Sequence, residues 1–194
     1  MSDNFMKSAL ERAMERADQI EVPEEKLKEM EHRSQGERIA AAFLRDTKYA
    51  LADELNKLDI ETKRYVSKTV ESTFLQNLTL PKKESDMARN DEVLRGLSVL
   101  KSNQEGLRQA KDQLANLSNY YLQAVKQNFE QLKADVEQAM RQAMQQKTGT
   151  ATGVKFNVEQ SPEFQENWLQ LSRRLDTEYG KALDQLKQQI AAMD

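Results

Sequence analysis

Glu29 and His32 stand three residues apart, and Glu-x-x-His is the spacing that sets a carboxylate and an imidazole on one helix face in di-iron bundles. A site of that kind needs the pair twice, with two further glutamates. His32 is the only histidine, so only a symmetric dimer would complete it. Otherwise His32 is expected to be a solvated surface residue. Gly149 to Lys155 has the outline of a phosphate-cradling loop without its spacing. Three residues separate the glycines where four are needed, Val154 stands where Lys-Ser/Thr should follow, and the preceding residues read as helix, not strand. One histidine beside Arg33 in a hydrophilic stretch supports no Ser-His-Asp relay. The 32 acidic residues fall on no apolar pocket that spacing identifies. No catalytic, cofactor-binding or metal-ligating residue is therefore assigned, and a non-enzymatic role is expected.

The elements that carry these residues are helices. Three prolines and six glycines in 194 residues leave too little punctuation for strands and turns. Apolar residues make up 38% and charged residues 31%, with a mean hydropathy of -0.83. That balance suits long helices with narrow apolar stripes better than a thick globule. Disorder is excluded because leucines and aromatics recur at helical spacing among strong helix formers. The chain lacks cysteine, which removes disulfides, thiolate metal sites and thiol nucleophiles. A net charge of -3 with both signs interspersed offers no basic face, so nucleic acid is not an expected partner. Residues 1–20 lack the pattern of a secretory signal. No run nears the roughly 18 apolar residues of a membrane span. A membrane partner is not expected, and the cytoplasm is the expected compartment.

Phe5, Ala9, Leu10, Ala13, Ala17 and Ile20 mark one side of an N-terminal amphipathic helix ending at Val22-Pro23. Its mixed polar face gives little attraction to anionic lipid, so it is expected to pack on the other helices. Pro23 with Glu24 and Glu25 opens a short second helix, contacting its neighbours through Leu27 and Met30 and broken at Gly36. The spacing predicts a long helix from Glu37 to about Leu78, with a heptad seam from Leu51 to Thr69; a kink at Asp59, which could cap a second helix, is the alternative to one unbroken helix. Residues 81–90 read as a linker between an N-terminal helical region, 1–80, and a hairpin, 91–194. Within the hairpin, a helix from about Asn90 to Lys147 would be on the order of 80 Å long. Gly96 and Gly106 are read there as tolerated small residues. Gln104, Lys111 and Ser118 are polar members of its seam.

Thr148 to Gly153 ends that helix, and Val154, Phe156 and Val158 alternate like a short strand able to pair with a partner. Ser161-Pro162-Glu163 then caps a closing helix that folds back on the long one. The expected fold is all-α: an elongated antiparallel helical bundle or coiled-coil hairpin with one very long helix. Leu97, Leu100, Leu107, Leu114, Tyr121, Phe164, Trp168, Leu171 and Leu175 are the candidate interface residues. The long arm has more seam than the closing helix covers. The leading functional expectation is therefore a non-catalytic, homo-oligomeric scaffold or adaptor working through protein contacts. The alternatives are an amphipathic protein coating a membrane or storage granule, and a metal-dependent bundle enzyme using His32.

Overall fold

Pro23 cannot donate a backbone hydrogen bond, and the two glutamates after it complement the positive end of a helix. The computed structural model, which describes residues 23–46, 48–148 and 157–194, starts α1 there, at Glu24–Arg45. It continues with α2 (Leu51–Asn56), α3 (Ile60–Asn77), α4 (Met87–Leu100), α5 (Gln104–Thr148) and α6 (Pro162–Ala191). Single 3-10 turns at Glu84–Asp86 and Val158–Gln160 are the only other regular elements among the described residues. The class is all-α, with one very long helix of 45 residues. The expected N-terminal helix, Phe5 to Ile20, lies outside the described residues, as do Val154 and Phe156. Val158 opens a 3-10 turn instead of continuing a strand.

Gly36 does not break α1. A Cβ there would come within 2.6 Å of the Thr69 Cβ and 3.1 Å of the Val66 carbonyl oxygen. The missing side chain lets α1 and α3 touch, and i→i−4 hydrogen bonding carries the helix through. The two helices run parallel: His32 stacks on Tyr65, Gly36 meets Thr69, and Phe43 packs against Phe74. Parallel neighbours need a return path, and residues 46–59 provide it. The helix expected over 37–78 is therefore three pieces, of which α2 is a short return limb buried through Leu51 and Leu55. Asp59 caps α3, its carboxylate accepting from the Thr62 and Glu61 amides at 3.0 and 3.1 Å. Those bonds, that of Thr62 foremost, hold the Asp59 carboxyl below its ordinary range.

α4 returns antiparallel to α3. α4 starts at Met87, and Asn90 is a buried clamp inside it, donating to the Thr79 carbonyl at 2.8 Å and accepting from the Thr79 amide. Gly96 faces the crossing of Phe74 and Phe43, where a Cβ would lie 2.5 and 2.8 Å from ring carbons. It is a close-packing residue, contrary to the reading of a merely tolerated one. Gly106, in the first turn of α5, packs against the Asn103 side chain and donates its amide to the Asn103 Oδ1 at 2.8 Å.

The expected Asn90 to Lys147 helix breaks at Lys101–Asn103. The backbone amides of Ser102 and Asn103 leave the helical ladder and donate to the Asp194 main-chain oxygen at 2.9 and 3.0 Å. α4 and α5 thus form a tight corner, closed by Lys111 pairing with Asp91 at 3.0 Å. The corner also resets the seam of α5. Gln104 leaves it to cap α4, donating to the Lys101 and Ser98 carbonyls, and Lys111 is exposed beside a buried Ala110. Of the three polar seam positions, Ser118 alone is buried.

One core joins residues on both sides of 81–90. It takes Ile39, Ala40 and Phe43 from α1, Val66, Val70 and Phe74 from α3, Val93 and Leu97 from α4, the first turns of α5 and the last turns of α6. Beyond Leu117 on α5 and before Leu183 on α6, the two helices continue as an antiparallel stalk with its own smaller cluster at Val136, Val158 and Phe164.

Gly96 and Gly180 give opposite expectations from one substitution. Gly96→Ala forces Phe74 or Phe43 off its rotamer and should cost about 1–3 kcal/mol. Gly180 has nothing within 4 Å of a Cβ position, so Gly180→Ala should gain about 0.5–1 kcal/mol from helix propensity. Urea denaturation midpoints test both, and equal midpoints for the two variants would refute the packing at Gly96.

Candidate interaction surface

His32 and Glu29 share a face of α1, as their spacing requires, but each is engaged locally. The imidazole stacks on Tyr65 with centroids 6.0 Å apart, and Glu29 forms an ion pair with Lys68 of α3. Among the described residues no three His, Cys, Asp or Glu side chains gather where a metal ion would sit. No described helix is long and apolar enough to cross a membrane.

The nine candidate interface residues divide by depth. Leu97, Leu107 and Leu114 are buried in the main core, with Leu100 packed half-buried against it. These four hold the chain together. Tyr121 and Leu175 are buried in the part of the stalk nearer the core, and Phe164 in its distal cluster. Trp168 and Leu171 are half-buried on the stalk.

The geometry of the stalk follows from its aromatic stripe. The Phe129 ring meets Trp168 at 5.0 Å and Phe164 at 5.3 Å, edge to face in both cases. That arrangement puts positive ring edges on negative faces. Ser161 caps α6 by accepting from the Phe164 amide at 3.2 Å, with Pro162 in the first turn as its sequence requires. Lys133 and Glu159 close the distal end with an ion pair of 2.6 Å.

Near the root of the stalk, the Tyr121 hydroxyl donates to Asp176 Oδ1 at 2.5 Å, and its ring meets Tyr179 edge-on at 5.4 Å. Burial, reinforced by the bond to Asp176 and its negative charge, pushes the Tyr121 hydroxyl up to about 12.

The stalk's seam is only half covered. Leu122, Val125, Phe129 and Leu132 on α5, with Trp168 and Leu171 on α6, all remain half-buried. By contrast, Val66, Val70, Phe74 and Leu97 of the main core are at 0% exposure. The physical reason is the number of neighbours. Four elements surround the α3–α4 crossing, whereas each stalk helix has one partner, and a stripe about 100° wide is not closed by a single helix.

The sequence profile of a family of unknown function, DUF6657, matches residues 52–192. The chain belongs to that family. No curated protein and no solved structure matches it. The DUF6657 match takes in all of α3 to α6, and all but the first residue of α2, so the whole stalk lies within it, whereas α1 lies outside.

The residues that sequence reasoning missed are Lys101, Asn90 and the close contacts of Gly36 and Gly96. A buried lysine in a solvated-looking Lys-Ser-Asn stretch carries no sequence signal. The glycines did carry one: each stands within an otherwise helical pattern, where glycine costs about 1 kcal/mol and so points to a packing reason.

The Tyr121 bond has a pH signature. A tyrosine whose folded pKa lies above the ordinary 10 keeps its proton longer when folded than when unfolded. The stabilisation is complete below pH 10 and is lost as pH rises towards about 12. Tyr121→Phe should therefore be less steeply destabilised than the parent chain across that window, as read by urea midpoints. Identical slopes would contradict the assignment.

Proposed function

We propose that this DUF6657 protein is a non-catalytic, homo-oligomeric scaffold or adaptor, and that its α5–α6 stalk is the assembling surface. The half-covered seam along the stalk is the observation that supports this reading. Ser118 to Thr148 spans roughly 45 Å and the facing part of α6, Pro162 to Ala182, roughly 31 Å. At about 10 Å of width per helix, one side of the stalk offers on the order of 700 Å². A stable interface buries about 800 Å² per partner, so the stalk is of the right size for a second stalk to cover. Tyr120 and Leu169, 64% and 50% exposed on α5 and α6, add apolar area outside the seam. A polar rim of glutamines and mixed charges on both helices keeps such a surface selective without demanding a charged partner.

Light scattering with absolute mass, at tens of micromolar protein, tests the proposal. A mass of twice 22.4 kDa or a higher multiple is expected. A single 22.4 kDa species at every concentration would refute it.

A further inference from the structure

A second stalk can lie along the first in either direction, and α6 carries the charges that separate the two cases. The part of α6 before Leu169 is acidic, with Glu163 and Glu166, and the turn after it is basic, with Arg173 and Arg174. Glu166, Leu169 and Arg173 follow one another at steps of three and four, so they share one face of the helix. All three are exposed, Leu169 at 50%. Glu166 and Arg173 stand two turns apart, roughly 10 Å along the axis, which is too far for them to pair with each other. Neither has an ion-pair partner among the described residues, although Lys133 and Arg141 on α5 are both paired. Between them, Ser172 is half-buried, and its hydroxyl donates to the Leu169 carbonyl at 3.2 Å. A short side chain satisfied within its own helix can be covered by a neighbouring helix without losing a hydrogen bond.

We propose that two chains pair α6 on α6, antiparallel, across a two-fold axis at Leu169; this rests on the stalk being the assembling surface. The axis sets Leu169 on Leu169 and brings Glu166 of each chain level with Ser172 and Arg173 of the other. One contact is thus made twice, as a two-fold interface requires. Parallel pairing in register instead holds Glu166 level with Glu166 and Arg173 with Arg173, and like charges so placed repel. The occupant is a second copy because the face is self-complementary: reversed, its acidic half matches its basic half and its apolar residue falls on itself. Half-buried Trp168, the neighbour of Leu169, borders the contact. Twice the rise from Leu169 to Leu183, where the core begins, puts roughly 42 Å of stalk between the two cores. The assembly therefore presents the same core surface at each of its ends.

Charge reversal tests the pairing, with the mass of full-length Glu166→Arg, Arg173→Glu and the double reversal followed by light scattering at low salt. Each single reversal sets like charges level at both symmetric contacts and is expected to raise the dimer's dissociation constant at least about tenfold. The double reversal restores opposite charges and is expected to return the constant to that of the parent. An assembled parent that neither single reversal weakens, or a double reversal that restores nothing, overturns the pairing while assembly through the stalk stands. A parent that stays at 22.4 kDa overturns both. The absence of cysteine allows a second readout. With about 10 Å between axes and a Cα radius of about 2.3 Å, the two Leu169 Cα atoms lie about 5.4 Å apart, within the span of a disulfide. Leu169→Cys is therefore expected to form interchain disulfide at least about fivefold faster than Glu178→Cys, which is exposed on the opposite side of α6, roughly two and a half turns on. Equal rates contradict an axis at Leu169.

Discussion

Lys101 is the point on which the arrangement of helices depends. Its side chain is 8% exposed and its ammonium reaches three groups at once, one on α3 and two at the end of α6. It pairs with Glu71 of α3 at 2.8 Å, and donates to the carbonyls of Ala191 and Met193 at 3.2 and 2.6 Å. The last carbonyls of a helix lack intrahelical partners and carry the negative end of its dipole. A cation set against them satisfies both needs. A buried ion pair gains little over apolar packing, but losing one partner is costly because the other is left uncompensated. Lys101 therefore fixes where α6 ends relative to α3, and with it where the stalk departs from the core.

The corner at 101–103 and the end of α6 depend on each other. The Ser102 and Asn103 amides are free to bond Asp194 only because α4 stops there, and α4 stops without proline or glycine because those bonds, with the Gln104 cap, replace the lost turn. From this junction the molecule divides into a core where helices are close-packed from several sides and a stalk where they are not. At Gly36 and Gly96 the core packs closely enough to exclude even a methyl group. Along the stalk, packing relies on large rings, Phe129, Trp168, Tyr121 and Tyr179, which span a single interhelical contact. That contrast in coverage, and not any cluster of reactive groups, is what directs the functional reading to the stalk.

Much of this was legible in the residues. The helical class followed from the scarcity of proline and glycine, the return of α6 from the glycine-containing loop after Thr148, and the start of α6 from Ser161-Pro162-Glu163. The Phe164, Trp168, Leu171 stripe was readable as helical packing because its period is local. What escaped was tertiary in origin. Periodicity runs smoothly through 101–103, so a break made by bonds to Asp194, some ninety residues on, leaves no trace in it. The parallel pairing of α1 and α3 was hidden for a related reason: a return limb as short as α2 reads as part of one long helix. Candidate residues were chosen by size and spacing alone, and so Leu97, Leu107 and Leu114, which close the core, were grouped with Trp168 and Leu171, which do not.

The role of Lys101 as the joint between core and stalk is tested most directly by native-state hydrogen exchange on Lys101→Met, which keeps the length of the side chain and removes its charge. Loss of about 2 kcal/mol at the junction is expected, corresponding to roughly 30-fold faster exchange at Leu183–Ala191 of α6 and, together with it, at Leu107–Leu114 of α5. Exchange that accelerates only within residues 100–104, with the root of the hairpin still fully protected, would contradict it.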